Sequence, residues 1–369
     1  MVTACVLWLL IRFRRPGRRL AVAMASLLVM QAGRGEDLIQ PAFDPVVDAA
    51  DVTDVAFRGA FPAPQWTTYA LTDALFWGRD NQASNQTLVV RLDGPSEPVI
   101  NAQDLQFPFS EGVRAFYGQR DPSRGGWELG YWGVWGQSAT AFAAATPPDF
   151  LQMPDPLGGL MTIDGETATV KYNSLINSAE ANLFTTSTEW RNHSGSWMTV
   201  DWLAGFRYVG VEESASILMN CCVADDTVTE VPYGVRTRNN GFGAQIGNRT
   251  RWTWERWAFE GWAKAGLLGN AQEQIQSPLI DFTGTQQRPA ISTTGGELSF
   301  IGDINTSVVY RLTDVWGLRV GYNLIWIDGL ALAPNQFDFS VVEGVSGTRL
   351  VSGGGIFMHG ANLGLEARW

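Results

Sequence analysis

From about Trp66 to Trp369, apolar and polar side chains alternate one for one in segment after segment, and no stretch approaches 18 consecutive apolar residues. Successive strand residues point to opposite faces, so this alternation builds sheets with one apolar and one wet face. A spanning helix needs roughly 20 apolar residues, which excludes a helical membrane protein. If such a sheet crosses a bilayer it must close on itself, because an open edge would leave backbone groups unpaired in hydrocarbon.

The last third shows the pattern most clearly. In Glu297 to Leu312 one face carries Leu298, Phe300, Gly302, Ile304, Thr306, Val308 and Tyr310, and the other Glu297, Ser299, Asp303, Asn305, Ser307 and Arg311. A tight turn at Thr313-Asp314 leads to Trp316, Leu318, Val320, Tyr322, Leu324 and Trp326, alternating with Gly317, Arg319, Gly321 and Asn323. Trp197 to Val209 repeats the pattern, with Trp197 and Leu203 out of phase. Arg251 to Leu268 sets Arg256, Glu260 and Lys264 four apart, as an amphipathic helix would, but the density of Trp252, Trp254, Trp257, Phe259 and Trp262 favours a strand.

With Trp66–Trp77, Glu111–Gln119, Gly126–Gln137, Ser174–Ser187, Val235–Asn248 and Ile356–Trp369, these segments predict a closed antiparallel transmembrane β-barrel of about ten strands. An extra hairpin from Ser214–Asn220 and Thr227–Pro232 would extend the range to twelve. Short turns are expected at Arg120–Gly125, His193–Ser196, Asn248–Arg251 and Thr313–Asp314. Long loops are expected over Gly78–Ser110, Ser138–Asn173, Gly210–Gly234, Asn270–Gly296 and Asp328–Gly355. In bacterial barrels the short turns face the periplasm and the long loops the exterior, and an even strand number puts both termini on the periplasmic side.

Composition agrees, with 16 Trp, 19 Phe and 40 Gly beside only 17% charged residues. Arg12, Arg14, Arg15, Arg18 and Arg19 precede the apolar run Leu20 to Met30, too short to span, so residues 1–35 read as a signal peptide. Its loss, including Arg34, would take the net charge from −11 to −17, which excludes nucleic acid as a partner. Residues 36–65 are acidic and proline-containing, an extended lead-in or a plug, and 66–369 form the barrel. Cys221 and Cys222 are adjacent and lack the spaced partners of a zinc site, and no cofactor or metal is expected.

The chain closes with Phe357, Ala361, Leu363, Leu365, Ala367 and Trp369 on one face, which resembles the signal read by the barrel assembly machinery, with Leu363, Leu365 and Trp369 as its elements. Glu128-Leu-Gly-Tyr-Trp-Gly, Ser178-Ala-Glu-Ala-Asn-Leu-Phe, Asn240-Gly-Phe-Gly-Ala-Gln-Ile-Gly, Lys264-Ala-Gly-Leu-Leu-Gly-Asn and Tyr310-Arg-Leu-Thr-Asp resemble the planctomycete-type outer-membrane β-barrel porin family. So does Arg319-Val-Gly-Tyr-Asn-Leu-Ile-Trp-Ile-Asp-Gly-Leu-Ala-Leu-Ala-Pro. The resemblance implies a fold and a bacterial outer-membrane location among lipid, and brings no catalytic residue with it.

Candidate chemistry is sparse. Asp201, Arg207, Glu260, Lys264, Asp303, Arg311, Arg319, Glu366 and Arg368 fall on inward faces, where they line a selective pore or, as the blander alternative, pair with one another. Ten strands leave a narrow path at most, since eight just fill with side chains. Asp73 shares a face with Tyr69, Leu71, Leu75 and Trp77, which suggests a strand end or a bulge. His193 falls in a turn, whereas His359 begins the last strand at the expected outer rim with Asp328 and Asp338 in the adjoining loop. The glycine run Gly353–Gly355 lacks the lysine and helix of a phosphate loop. These features predict a non-enzymatic narrow pore or structural membrane component, then a surface-interaction protein acting through its loops, and last a rim hydrolase using His359. Association of several copies is a further expectation.

Overall fold

The computed structural model describes residues 68–92, 96–121, 125–146, 148–154, 164–192, 195–221 and 229–369. The expected leader and lead-in, His193 and Cys222 lie outside them, as does the side chain of Cys221.

Ten strands close into one antiparallel barrel: β1 (Thr68–Asp80), β2 (Ser110–Asp121), β3 (Gly125–Ala144), β4 (Thr167–Arg191), β5 (Trp197–Cys221), β6 (Thr229–Trp254), β7 (Trp257–Gln276), β8 (Ile291–Arg311), β9 (Trp316–Leu330) and β10 (Gly354–Arg368). Each pairs with its sequence neighbours, and β1 pairs with β10. The seam is tied off where Thr68 and Trp369 exchange backbone hydrogen bonds of 3.0 Å. Closure pairs both edges of every strand, which is what a bilayer demands.

The outer surface carries an apolar belt whose height follows from the register. On β9 it runs from Trp316 to Trp326, on β7 from Trp257 to Leu267, on β6 from Trp252 to Phe242 and on β5 from Met198 to Tyr208. Each stretch is 11 residues long. Transmembrane strands need about 9–11 residues when tilted, with aromatic side chains at the two interfaces. Trp252, Trp257 and Trp316 form the lower girdle, and Phe242, Phe300, Trp326 and Phe357 the upper one.

Above the belt the polarity of the strands reverses. On β5 the outward residues change from Phe206 and Tyr208 to Glu212, Ser214 and Ser216, and the inward ones from Asp201 and Arg207 to Val211, Ala215, Ile217 and Met219. The same exchange on β4 puts Lys171 and Asn173 outside, with Val170 and Tyr172 inside. Beyond the lipid the barrel is a water-facing fold whose mainly apolar interior is interrupted by the buried ion pair of Arg79 and Glu213 at 2.6 Å. Strands β4 to β7 therefore continue for 20 to 26 residues.

This continuation corrects three expectations. The extra hairpin expected from Ser214–Asn220 and Thr227–Pro232 is not one: Ser214–Asn220 and, of the second segment, the described Thr229–Pro232 extend β5 and β6, which pair through Thr229↔Cys221. Large parts of the loops expected over 138–173, 210–234 and 270–296 are likewise barrel strand. No turn forms at Asn248–Arg251, because β6 runs on to Trp254 and the turn is Glu255–Arg256, between the paired Trp254 and Trp257. Glu255 adopts a φ of 52°, a left-handed conformation that its sequence does not advertise.

The loop end is roofed. Thr87–Leu92, Glu97–Asn101, Phe150–Gln152 and Asp164–Gly165 form a four-stranded sheet there. Leu88, Val89, Ile100, Leu105 and Leu151 join Val170, Tyr172, Ile217 and Tyr233 of the upper barrel in one apolar cluster.

Candidate functional site

All nine lumen candidates sit on inward-facing positions of the barrel. Asp201, Arg207, Glu260, Lys264, Asp303, Arg319 and Glu366 are buried, and Arg311 and Arg368 are half-buried at the turn end. The structure adds Asp73, Arg114, Arg120, Glu128, Glu180, Arg249 and Arg251 to the same interior.

Three connected groups result. In the first, Glu260 accepts from Arg319 at 2.7 Å and Arg251 at 2.8 Å, while Glu366 accepts from Arg251 and Arg368, both at 2.7 Å. Arg319 approaches Asp73 at 3.7 Å, and Asp73 is held by Arg114. The second group joins Glu128 to Arg249 at 2.6 Å and Asp201 to Arg120 at 2.8 Å, with Arg249 reaching Asp201 at 3.4 Å. Lys264 extends this second group, reaching Glu128 at 3.8 Å and pairing with Glu180 at 2.7 Å, and the third is Arg207 with Asp303 at 3.0 Å. Trp262 stands among these groups. Its ring lies about 5 Å from Arg114, Lys264 and Arg319, and its indole N–H donates to Asp303 at 3.1 Å. A buried charge without its partner costs several kcal/mol, so such groups hold only as complete sets.

Asp73 is neither a strand end nor a bulge. It lies mid-strand in an unbroken register, 0% exposed, and faces inward with Tyr69, Leu71, Leu75 and Trp77. The expectation failed because it took the inward face to be uniformly polar. Leu203 fell out of phase for the same reason: it is inward and packs on Tyr69 and Phe184. Arg249 and Arg251 were missed because Asn248 looked like a turn former. Arg114, Glu128 and Glu180 could have been found, since parity in their own strands already pointed them inward.

Over the charged layer lies an apolar one containing Leu75, Trp77, Trp132, Ile176, Val209, Leu268, Ile301, Ile325, Ile327 and Met358. Its upper boundary is a row of side-chain donors that grip the end of β9 and the loop between β9 and β10. Asn270 and Gln272 donate to the Gly329 carbonyl at 3.1 and 2.9 Å, and Gln274 to those of Gly347 and Arg349 at 3.0 Å. Gln276 donates to the Gln336 carbonyl at 2.8 Å, and Arg288 to that of Asp338 at 2.7 Å. Gly329 has a φ of 83°, a turn that its neighbours' side chains could not easily take. Two small cavities toward the turn end have volumes of about 20 and 10 Å³, room for about one water each.

His359 faces outward. It is bracketed by Tyr322, whose hydroxyl lies 2.7 Å from its Nδ1, by Phe357 and by Phe109, at the upper girdle. Asp328 pairs with Gly355, four residues up the strand from His359. Asp338 is engaged by Ser340 and Gly347 inside its own loop. The structure does not bring the three together. Gly353–Gly355 leads directly into β10, with no helix following. Among the described residues no cluster of three or more metal-ligating side chains occurs.

A family profile described as "Putative beta barrel porin-7" matches residues 99–369. The chain belongs to this family. Membership of beta barrel porin-7, together with the closed barrel and its belt, makes it an outer-membrane β-barrel protein. No helix of the described residues is long and apolar enough to cross a membrane. No curated protein matches the sequence. Among solved structures, the outer membrane protease OmpT of Escherichia coli is similar at 11% identity and a TM-score of 0.43, covering 82% of this chain and 94% of that one. An anion-selective porin of Comamonas acidovorans is similar at 9% identity and a TM-score of 0.15, covering 82% and 99%. Overlaps this loose carry no activity across to the porin-7 barrel.

Proposed function

We propose that this protein is a closed structural barrel of the outer membrane that presents its roofed loop end to the exterior, rather than an open diffusion pore. The observation that carries this reading is the interior, filled in succession by ion pairs, by the apolar layer and by the loop between β9 and β10. Open porins use 16 to 18 strands, whereas a barrel near eight is filled by its own side chains. Paired charges in such an interior neutralise one another and leave little field for a passing ion. The tall strands β4 to β7 and the four-stranded roof sheet are the parts available to partners.

The reading assigns no catalysis, and the outward His359 supports that. It places the turn end in the periplasm, and it assigns Leu363, Leu365 and Trp369 to assembly-machinery recognition. Leu363, Leu365 and Trp369 are exposed at the barrel's outer surface, which suits such a role.

The test is planar-bilayer recording of the refolded protein, with heat-modifiable gel mobility establishing the folded barrel first. A silent bilayer is expected. Discrete openings that change on Arg207→Gln or Arg319→Gln would establish a pore and overturn the proposal.

A further inference from the structure

Within the belt, Lys264 of β7, Asn182 and Glu180 of β4, Glu128 of β3 and Gln245 of β6 meet in the lumen, all of them buried. Asn182 stands two residues from Glu180, so strand parity sends both inward. Gly205 of β5 makes room for the amide, because a Cβ there would stand 2.3 Å from Asn182 Oδ1. The Lys264 ammonium donates to Glu180 Oε1 at 2.7 Å and lies 3.8 Å from Glu128 Oε1. The Asn182 amide nitrogen donates to the other oxygen of Glu180 at 3.1 Å and to the same Glu128 oxygen at 3.4 Å. Its carbonyl oxygen accepts from Gln245 at 2.6 Å. A primary amine and a carboxamide thus lean on the same two carboxylates. The rings of Phe116 and Trp262 lie 4.7 and 5.3 Å from Lys264 Nζ.

These are the parts that aminolysis of an amide requires. A lysine amine becomes a nucleophile when it gives up a proton, and a carboxylate in contact with it is the base that takes one. A donor already set on the carbonyl oxygen stabilises the charge that gathers there during attack. Groups held beside one another react far faster than the same groups free in solution. Burial also keeps competing water away from the amide carbon. The small cavity bordered by Lys264, Glu128, Phe116 and Trp262 has room for about one water, and ammonia is no larger.

We propose that Lys264 and Asn182 join in an intramolecular isopeptide bond that staples β7 to β4 across the lumen. Nζ leaves the Glu180 carboxylate, attacks the side-chain carbonyl carbon of Asn182, and the bond from that carbon to Nδ2 breaks. The ammonium gives up two of its three protons. One departs with Nδ2 as ammonia, and the other stays on Glu180. The ion pair becomes an amide N–H beside a neutral acid, which is far cheaper to bury than an unpaired carboxylate. The bond forms without an oxidant or cofactor, and it does not depend on whether the barrel conducts.

The experiment is mass spectrometry of tryptic peptides from the folded full-length protein, denatured before digestion. Trypsin should no longer cut after Lys264. The peptides bearing Asn182 and Lys264 should appear as one species, lighter than their sum by about 17 Da, the mass of the ammonia lost when the lysine amine displaces it. Asn182→Ala should restore the cut. Glu180→Gln keeps both reacting groups and should leave them unjoined, with gel mobility checking that each variant folds. Separate peptides of unchanged mass from the unsubstituted protein overturn the proposal whatever the variants do. A joined species that survives Asn182→Ala or Glu180→Gln overturns it as well.

Discussion

The polarity reversal along β5 makes a quantitative prediction about where the membrane ends. The belt from Met198 to Tyr208 spans ten residue steps, which at about 3.3 Å each and a tilt of about 40° project to about 25 Å, the height of an outer-membrane apolar band. Ala204 then lies within about 3 Å of the midplane and Ser214 about 28 Å from it, although both face outward on one strand. Arginine on the lipid face costs about 2–4 kcal/mol at the midplane and about 0–1 kcal/mol near the interface. Ala204→Arg should therefore lower stability by about 2–4 kcal/mol and Ser214→Arg by less than about 0.5 kcal/mol. Equilibrium urea unfolding from phospholipid vesicles, followed by Trp fluorescence, measures both. Equal costs at the two positions, or a neutral Ala204→Arg, would refute the belt boundary.

Other outcomes follow from the same structure. Glu260→Gln removes the carboxylate shared by Arg251 and Arg319 and should cost about 3–5 kcal/mol in the same urea assay, whereas a loss below about 1 kcal/mol would mean the network is solvated. In the loop between β9 and β10, half-burial pushes the Asp338 carboxyl up, but hydrogen bonds from Ser340 and Gly347 outweigh it and hold the group below the usual carboxylate range. A depressed folded pKa contributes stability above the ordinary value that is lost as pH falls through the folded one. Pepsin cleavage within 340–350 should accordingly accelerate toward the acid end of the pH range, and Asp338→Asn should show that acceleration already at higher pH; identical profiles would dismiss the link. Trp369→Ala should slow insertion in cells while leaving refolding into detergent unchanged, since the Trp369 side chain is exposed and the hydrogen bonds to Thr68 at the seam come from its backbone. Equal slowing in both settings would assign it to the fold instead.

Period-two alternation specifies strands and which residues share a face, and it does so without reference to any other part of the chain. It was enough for the closed barrel, for the β8–β9 hairpin from Glu297 to Trp326, and for the inward parity of Arg207, Lys264, Asp303 and Arg319. It carries no information about what the inward face will meet. Inward means polar beside the charged layer and apolar both within the layer of Trp77 and Trp132 and above the lipid, so Asp73 and Leu203 looked misplaced and β5 and β6 looked finished near Val209 and Val235. Nor does the alternation mark a turn made by Glu255 and Arg256, which lack the residues that prefer a left-handed backbone. Those decisions belong to the closed barrel, because only closure sets Arg251 of β6 against Glu366 of β10, 115 residues apart in the chain. Only closure, too, fixes the height at which lipid gives way to water.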